Sequence, residues 1–318
     1  MINFEKKKAQ AILRLVQCGV LEEHAEILAD CLLVSDLYGV TSHGLNMLDA
    51  HIEKIKQGGY NLSPKMKVIR QTSSFAVVDG DNAPGPVSAM FCTKYGIEKC
   101  KDAGVFTVFS RNNNTFGPAF YYSLQAAKMG CIAFVCSNSP AQMAPYGGVS
   151  KMLGTNPFAA VIPVPDGEPI IIDMATSAVA KSKFKEYKLK GEPLPAGWAT
   201  DCEGNPTCDP DKALGGLVLP MAGFKGYAIS MLIDIMAGAL SGAAYLNHVG
   251  RFYNQNGENM NVGYYMTFIN PYVVFGDTYD KMIAQYVKEV RNSKPLSGSE
   301  ISLPGDDRIK RKKMNEND

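Results

Sequence analysis

Net charge, paired cysteine motifs and long apolar runs are all missing from this chain. Its 318 residues include 32 basic and 31 acidic side chains, for a formal charge of +1, and so small an imbalance gives no sign of a nucleic-acid-binding surface. Eight cysteines form no CxxC pair and mostly fall in apolar segments, which predicts reduced core residues. The first residues lack the apolar stretch of a signal peptide, and no run approaches a membrane span. We therefore expect a cytoplasmic protein without a nucleic-acid or membrane partner.

The common motifs of nucleotide and catalytic sites are absent as well. The sequence has no GxGxxG after a predicted strand, no GxxxxGKS or GxxxxGKT, no HExxH and no GxSxG, which argues against a Rossmann dehydrogenase. Without clustered thiols, the four scattered histidines predict no metal site: His24, His43, His51 and His248.

His43 is the histidine whose position favours chemistry. It follows Asp36, Gly39 and Ser42 and precedes Gly44, where one apolar helical pattern ends and another begins. Ser42 is a good N-cap, and the apolar residues after it recur at helical spacing: Leu45, Leu48, Ile52 and Ile55. His43 is then expected in the first turn of a helix, where the dipole disfavours imidazolium. A neutral ring can exchange a proton with a carbonyl or hydroxyl group, whereas the alternative is a polar first-turn residue that only contacts water.

Helical patterns dominate the first 65 residues, and short β-rich runs follow. Three helices are predicted within residues 5–57. The predicted strands are separated by helical patterns and by loops rich in Gly, Pro and Asn: residues 75–78, 105–109, 131–135, 159–162, 170–172 and 265–269. Their irregular spacing predicts an α+β fold with a mixed, largely antiparallel sheet. We expect a helical domain at 1–65, joined by residues from about 276–318, and a sheet-containing domain at 66–275.

Three segments near the C-terminus carry separate predictions. An apolar helix is expected over 226–245, buried in the core or at a subunit interface. An amphipathic helix is expected over 278–291. The charged tail at 306–318 is expected to be disordered or surface-bound.

Loops rich in small and polar residues follow the predicted strands. They lie at residues 111–117, 138–140, 145–148, 154–157, 173–177 and 223–226. Such loops let backbone amides approach a ligand closely, and their hydroxyl and amide groups can bind a phosphate or ribose. Turn chemistry alone explains any one of them, but the whole ordered series favours a ligand site.

Together, the loops and the His43 motif resemble the type-2 malate/L-lactate dehydrogenase family. The similarity is collinear and runs through residues 36–44, 154–157, 173–177, 191–199, 204–210, 225–227 and 304–306. It implies an oxidoreductase that uses NAD or NADP and whose NAD(P)-binding domain is not a Rossmann fold, in agreement with the missing GxGxxG. Members of this family typically form homodimers, with the active site in a cleft between the helical domain and the sheet domain.

The same resemblance assigns roles to residues. His43 would be the acid/base at the substrate, and Ser42 would orient its partners. The cofactor would be lined by residues from several loops: Ser139, Asp173, Met174, Ala175, Lys225, Gly226, Pro304, Gly305 and Asp306.

Two positions depart from the usual pattern of the family. Thr115 stands where members usually have a histidine, in Asn-x-Asn-His-Phe-Gly, and a threonine hydroxyl does not titrate near pH 7. Met47 stands where members commonly have an arginine, in Ser-His-Gly-x-x-Arg, and a thioether cannot pair with a substrate carboxylate. Arg111 is the candidate replacement, with an exposed structural arginine as the alternative. Asn114, in the same loop, completes the predicted substrate-binding set.

These residues predict hydride transfer between a nicotinamide and C2 of a small 2-oxo or 2-hydroxy acid. One alternative is a reductase of a cyclic imine or another atypical substrate in the same fold. The other is a non-catalytic nucleotide-binding protein, because Thr115 and Met47 remove two expected side chains. Lys181 and Lys183 either contact a ribose 2′-phosphate or lie on a solvated helix face, so both NAD and NADP stay open.

Overall fold

The computed structural model describes residues 2–253 and 257–317. Its first part is helical, with α1 (Ile2–Gln17), α2 (Glu22–Leu37) and α3 (Leu48–Lys56). Apolar side chains from one face of each helix form a common core: Ala11, Leu15, Ala25, Leu28, Leu32, Leu48, Ile52 and Ile55. The three predicted helices are confirmed, although α3 begins later than expected.

Seven strands form the main sheet: β1 (Lys67–Gln71), β2 (Phe75–Asp79), β3 (Val105–Asn113), β4 (Ile132–Ser137), β5 (Phe158–Ile162), β6 (Ile170–Met174) and β10 (Val262–Ile269). Their order is β1-β2-β3-β10-β4-β5-β6. All neighbours pair antiparallel except β2 and β3, which are parallel. The α+β fold with a mixed, largely antiparallel sheet is therefore confirmed, and of these seven strands β1 is the one that the sequence patterns missed.

Helices α4 (Gly85–Ala103) and α5 (Ala119–Lys128) pack against this sheet. Alternate residues of β10, including Met266 and Phe268, are fully buried between the sheet and these helices. A Cβ on Gly96 of α4 would lie 2.1 Å from the Phe268 ring. Glycine at this position therefore allows the helix to approach the central strand.

A second, three-stranded sheet consists of β7 (Ala199–Thr200), β8 (Pro206–Thr207) and β9 (Leu217–Val218), with antiparallel pairing around β7. Helices α6 (Ser182–Lys190) and α7 (Pro210–Gly215) complete this layer. Its apolar side chains form a core of their own: Met143, Leu153, Phe184, Leu194, Ala199, Ala213 and Val218.

The apolar helix predicted over 226–245 is shorter than expected. Helix α8 spans Phe224–Ile233, and the next turn, Asp234–Ala239, is π-helical. The buried carboxylate of Asp234 accepts a hydrogen bond from the Leu246 amide at 3.0 Å, which requires the chain to turn back on itself. The predicted helix is therefore π-helical rather than α-helical after Ile233, and the prediction is wrong beyond Ala239.

After the sheet come α9 (Pro271–Phe275) and α10 (Tyr279–Arg291), the second of which confirms the predicted amphipathic helix. None of the described helices combines the length and the hydropathy needed to cross a membrane.

The charged tail forms helix α11 (Asp306–Asn317). Its Ile309 side chain is buried. Asn315 Nδ2 donates hydrogen bonds to the carbonyl oxygens of Asp36 and Leu37, at 3.1 and 3.0 Å. Of the two predicted alternatives, disorder is wrong for residues 306–317, because α11 is bound to the end of α2; residue 318 lies outside the described residues.

Candidate active site

The turn that carries His43 is held by Asp36. This carboxylate accepts a hydrogen bond from the Leu45 amide at 2.9 Å. A Cβ on Gly44 would lie 1.7 Å from Asp36 Oδ1, so only glycine leaves room for the carboxylate. Gly39, at the end of α2, has a φ of +73°, a conformation that favours glycine. Asp36, Gly39 and Gly44 therefore have a structural role at these positions: together they fix the turn that carries His43.

His43 does not lie in the first turn of an α-helix, and that prediction is wrong. The chain forms two short 3₁₀ turns, Thr41–His43 and Leu45–Met47, and α3 begins only after them. Ser42 is not the N-cap of α3, because Met47 occupies that position. The apolar spacing continues through the second 3₁₀ turn, so the pattern alone starts the helix too early.

The surroundings of His43 nevertheless favour the neutral form of its ring. Burial lowers the pKa of its imidazole, and the nearby Arg308 guanidinium lowers that pKa further. Ser42 Oγ lies 2.9 Å from His43 Nδ1. Because one ring nitrogen is engaged by the serine, the ring is oriented and the other nitrogen, Nε2, lies outside that contact.

A second histidine, His51, is buried in α3 and lies within electrostatic reach of His43. Its Nδ1 is 2.8 Å from the Tyr60 hydroxyl. Burial, the Lys54 ammonium and His43 lower the pKa of His51 to about 4. Lys54 is itself buried, with its ammonium 5.6 Å from the ring centroids of both Tyr60 and Phe252. Sequence reasoning missed this cluster, because polar residues in an amphipathic helix give no sign of burial.

The loop after β3 carries Asn114, a predicted substrate-binding residue. Asn114 Nδ2 donates to the Asn82 side chain at 2.8 Å and to the Ala83 carbonyl oxygen at 3.0 Å. The Tyr264 hydroxyl donates to the Asn114 carbonyl oxygen. The buried Oδ1 of Asn114 has no hydrogen-bond partner among the described residues. These bonds hold the loop in place and leave one amide oxygen without a protein donor.

Thr115, the next residue, is half-buried, and its carbonyl oxygen faces the start of α4, where a Cβ on Gly85 would lie 1.8 Å from it. Two residues later, a Cβ on Gly117 would lie 3.6 Å from Cys31 Sγ of α2. The loop after β3 thus lies next to α2, the helix that ends just before the His43 turn.

Met47 and Arg111, the other two predicted substrate-binding residues, have partners of their own. Met47 Sδ accepts a weak hydrogen bond from the Tyr253 hydroxyl at 3.7 Å. Arg111 Nε lies 3.7 Å from Asp79 Oδ2. Within residues 2–253 and 257–317, no hydrogen bond or ion pair links Arg111 to His43. The ion pair with Asp79 favours the structural interpretation of Arg111.

The loops predicted to bind the cofactor are hydrogen-bonded to one another. Ser139 N donates to Asn156 Oδ1 at 3.0 Å, and Asn156 Nδ2 donates to the Ser230 carbonyl oxygen of α8 at 2.9 Å. Thr176 N donates to the Thr155 carbonyl oxygen at 2.9 Å. The loops around 139, 155 and 175 and helix α8 therefore form one connected set.

Lys225 and Gly226 lie in the first turn of α8, next to the same loops. Met221 N donates to the Thr176 carbonyl oxygen at 2.9 Å, and a Cβ on Gly226 would lie 2.2 Å from the Met221 carbonyl oxygen. The Lys225 side chain is exposed to solvent. Its ammonium is thus free to approach a ligand bound over these loops.

Residues 304–306 reach the edge strand β6. Ile171 N donates to the Pro304 carbonyl oxygen at 2.9 Å, and a Cβ on Gly305 would lie 2.6 Å from Ile171 Cβ. The Asp306 carboxylate pairs with Arg291 at 2.8 Å. The first two residues therefore extend the sheet edge, while the Asp306 carboxylate is used within the protein.

Asp173 is paired with an arginine that sequence reasoning missed. Arg308 Nη2 lies 2.8 Å from Asp173 Oδ2 and donates to the Asp173 carbonyl oxygen at 3.2 Å. Burial raises the pKa of the Asp173 carboxyl, and Arg308 opposes that shift. Arg308 comes just after Pro304-Gly305-Asp306, which could have indicated a place at the site. It was not considered because the tail was expected to be disordered or surface-bound.

The two lysines considered for a ribose 2′-phosphate differ in their surroundings. Lys183 pairs with Glu186 at 2.7 Å on the exposed face of α6. Lys181 is half-buried, and burial followed by the charges of Lys151, Arg251 and Lys185 lowers its pKa. Only Lys183 therefore fits the solvated helix face.

A sequence profile of malate/L-lactate dehydrogenases matches residues 2–318. The chain belongs to this malate/L-lactate dehydrogenase family. It is 39% identical to the malate dehydrogenase of Pyrococcus horikoshii, over 88% of this chain and 79% of that protein. It is 31% identical to the ureidoglycolate dehydrogenase (NAD(+)) of Escherichia coli K12, over 94% and 86%. It is 29% identical to the (2R)-3-sulfolactate dehydrogenase (NADP(+)) of Chromohalobacter salexigens, over 96% and 90%.

Solved structures agree with this assignment. The sulfolactate dehydrogenase of Methanocaldococcus jannaschii superposes with a TM-score of 0.92 at 36% identity, covering 98% of this chain and 90% of that one. As a member of the malate/L-lactate dehydrogenase family, the chain is an oxidoreductase that uses NAD or NADP.

The donor set of the connected loops fits such a dinucleotide. A hydroxyl at Ser139 and an exposed ammonium at Lys225 are groups of the kind that bind ribose and phosphate oxygens. Among the described residues, no group of three or more His, Cys, Asp or Glu side chains is arranged to hold a metal ion.

Proposed function

We propose that the protein transfers a hydride between the nicotinamide of NAD or NADP and C2 of a small 2-oxo or 2-hydroxy acid, with His43 as the acid/base. The observation that carries this proposal is the contact between Ser42 Oγ and His43 Nδ1, on a ring whose pKa is lowered by burial. The site would lie in a cleft between a helical domain at 1–65, joined by residues 276–318, and the sheet domain at 66–275.

His43 can act in either direction of the reaction. In the oxidation of a hydroxy acid, Nε2 accepts the hydroxyl proton; in the reduction of an oxo acid, it returns that proton to the carbonyl oxygen. The nicotinamide, when bound, supplies or accepts the hydride. Ser42 keeps the ring in one orientation throughout, because its hydroxyl can either donate to Nδ1 or accept from it.

The substrate class is supported by the names of the relatives. They are called malate, sulfolactate and ureidoglycolate dehydrogenases, and each of these substrates is a small 2-hydroxy acid. A solved neighbour at 26% identity is named a delta1-piperideine-2-carboxylate reductase, which keeps a cyclic imine as the second candidate substrate. Thr115 can hydrogen-bond either kind of substrate but cannot supply a proton near pH 7.

The cofactor would lie over the loops at Ser139, Asp173-Met174-Ala175, Lys225-Gly226 and Pro304-Gly305. The hydrogen bonds that join these loops and the exposed Lys225 support this arrangement. Asp306 would act only indirectly, because its carboxylate is paired with Arg291.

We further propose that the protein works as a homodimer. Helix α8 and the turn after it expose large apolar side chains, among them Leu232 (55% exposed) and Ile235 (50% exposed). An apolar stripe of this kind on a soluble enzyme is typical of an interface, which is one of the two environments that the sequence predicted for this segment.

The proposal is tested by turnover. Purified protein is mixed with NADH or NADPH and a panel of 2-oxo acids and cyclic imines, and with NAD or NADP and the matching 2-hydroxy acids. We expect nicotinamide oxidation with at least one 2-oxo acid. Nucleotide binding by calorimetry without turnover of any substrate would instead favour the non-catalytic alternative, and turnover of imines alone would favour the second candidate.

A further inference from the structure

A substrate carboxylate at this site needs a cationic partner. The thioether of Met47 carries no charge, and the Arg111 guanidinium faces Asp79. The guanidinium of Arg308 is close enough to His43 to influence its imidazole electrostatically.

Arg308 is held in one orientation by two contacts. Its Nη2 lies 2.8 Å from Asp173 Oδ2, and its guanidinium carbon lies 5.2 Å from the centroid of the Phe120 ring. A guanidinium fixed on one side by a carboxylate and on one face by a ring presents its other donors in a defined direction.

One of those donors is unpaired among the described residues. Arg308 Nη1 is buried and has no hydrogen-bond partner in the part of the chain that the structure describes. A buried, unpaired N–H on a charged group is unfavourable, and the loss is removed when a ligand supplies an acceptor. The chemistry of that acceptor is set by the charge, since a carboxylate oxygen is the strongest partner for a guanidinium N–H.

We propose that Arg308 binds the substrate carboxylate through Nη1 and so takes over, from α11, the role that Met47 cannot perform. This inference rests on the proposed function, because it concerns the substrate of that same site. Arg308 would then determine the preference for an acid over a neutral analogue, while Asp173 keeps its guanidinium in place.

The competing explanation is that Arg308 only clamps α11 to β6 through Asp173. The two explanations differ when the charge of the substrate is changed. A carboxylate-binding residue affects the turnover of a 2-oxo acid but not that of its primary amide, whereas a structural clamp affects both equally.

The experiment measures kcat and KM for the best 2-oxo acid and its amide with Arg308→Gln, Arg308→Lys and the wild-type enzyme. We expect Arg308→Gln to lower kcat/KM for the acid by about 100-fold, mainly through KM, and to change that for the amide by less than about threefold. Arg308→Lys should lose about tenfold on the acid, because an ammonium cannot contact Asp173 and a substrate carboxylate in the planar, two-sided manner of a guanidinium.

Two controls separate folding from recognition. Arg311→Gln changes an exposed arginine on the same helix and should leave both substrates unaffected. The dissociation constant for the nucleotide is measured in every variant, so that a change at Asp173, which Arg308 contacts, is separated from a change in substrate binding. Equal losses on acid and amide, or no loss on either, would overturn this inference alone. A wild-type protein that neither turns over a 2-oxo acid nor binds oxamate would overturn the proposed function, and this inference with it.

Discussion

Burial and the Arg308 guanidinium lower the pKa of His43, and no α-helix begins beside it to contribute a dipole. The source of this pKa shift determines which mutations change it. Changing residues of α3 should leave the His43 pKa largely as it is, whereas removing the charge at 308 should move that pKa towards its ordinary value.

His51 gives a prediction about stability and pH. Its folded-state pKa is about 4, below the ordinary value of 6.5, so the unfolded chain takes up a proton first as the pH falls. The contribution of the neutral His51 is therefore complete above pH 6.5 and is lost as the pH approaches 4. Between these values we expect the free energy of unfolding to fall by up to about 3 kcal/mol from this residue alone.

Urea unfolding of wild type and His51→Gln from pH 7.5 to 4 measures this effect. The variant should be less stable at pH 7.5, because the bond to Tyr60 is altered, but its stability should depend less steeply on pH. His248→Gln, at an exposed histidine, is the matched control and should follow wild type. Parallel profiles for wild type and His51→Gln would contradict the account.

At the scale of elements, the turn between α2 and α3 depends on close contact between Asp36 and Gly44. A Cβ at 44 would overlap Asp36 Oδ1, 1.7 Å away. We expect Gly44→Ala to destabilise the protein by about 2 kcal/mol, as overpacking does, and to reduce activity because His43 is the neighbouring residue.

Gly215→Ala is the control for this prediction, since Gly215 is exposed and a Cβ there would meet nothing within 4 Å. Thermal unfolding and steady-state kinetics of both variants give the comparison. Gly44→Ala with the stability and rate of wild type would mean that the Asp36 carboxylate does not hold the turn.

Most elements could be predicted because their residues alternate or recur with a clear period. The predicted strands lie at or next to β2–β6 and β10, and in β2, β3, β5 and β10 buried side chains alternate with less buried ones. Strand β1 escaped notice because it is polar and almost entirely exposed. The start of α3 was misplaced because a 3₁₀ turn keeps nearly the same apolar spacing as the helix that follows it.

Sequence reasoning identified some residues of the candidate site and missed others. Motif resemblance pointed to His43, Ser42 and the cofactor loops, and the hydrogen bonds among those loops fit that expectation. Asp36 was visible as part of the motif, but its role depends on an atomic contact that spacing does not reveal. Arg308, His51 and Lys54 could not be found, since burial of a charged or titratable side chain has no periodic signal.

At the scale of the whole molecule, the last helix joins the first helices to the sheet. Helix α11 contacts the end of α2 through Asn315 and the edge strand β6 through Arg308. The candidate site therefore combines residues that are far apart in the chain, which is why sequence spacing alone could not bring Arg308 to His43.

The proposed homodimer makes a further prediction at this scale. Sedimentation should give twice the 34.5 kDa mass of the chain. Leu232→Lys together with Ile235→Lys should shift the protein towards monomer, because two charges would be desolvated in the apolar interface. Leu189→Lys, on α6 at a side chain that is 89% exposed, is the control and should leave the mass unchanged. A double variant that stays dimeric would exclude this face as the interface.

The most direct test of the central claim compares His43→Ala with wild type on the best substrate pair. General acid–base catalysis contributes about 100-fold or more, so kcat should fall by at least that factor while the dissociation constant of the nucleotide is unchanged. His248→Gln should retain full activity. A His43→Ala enzyme with a kcat within about threefold of wild type would contradict the role of His43 as the acid/base.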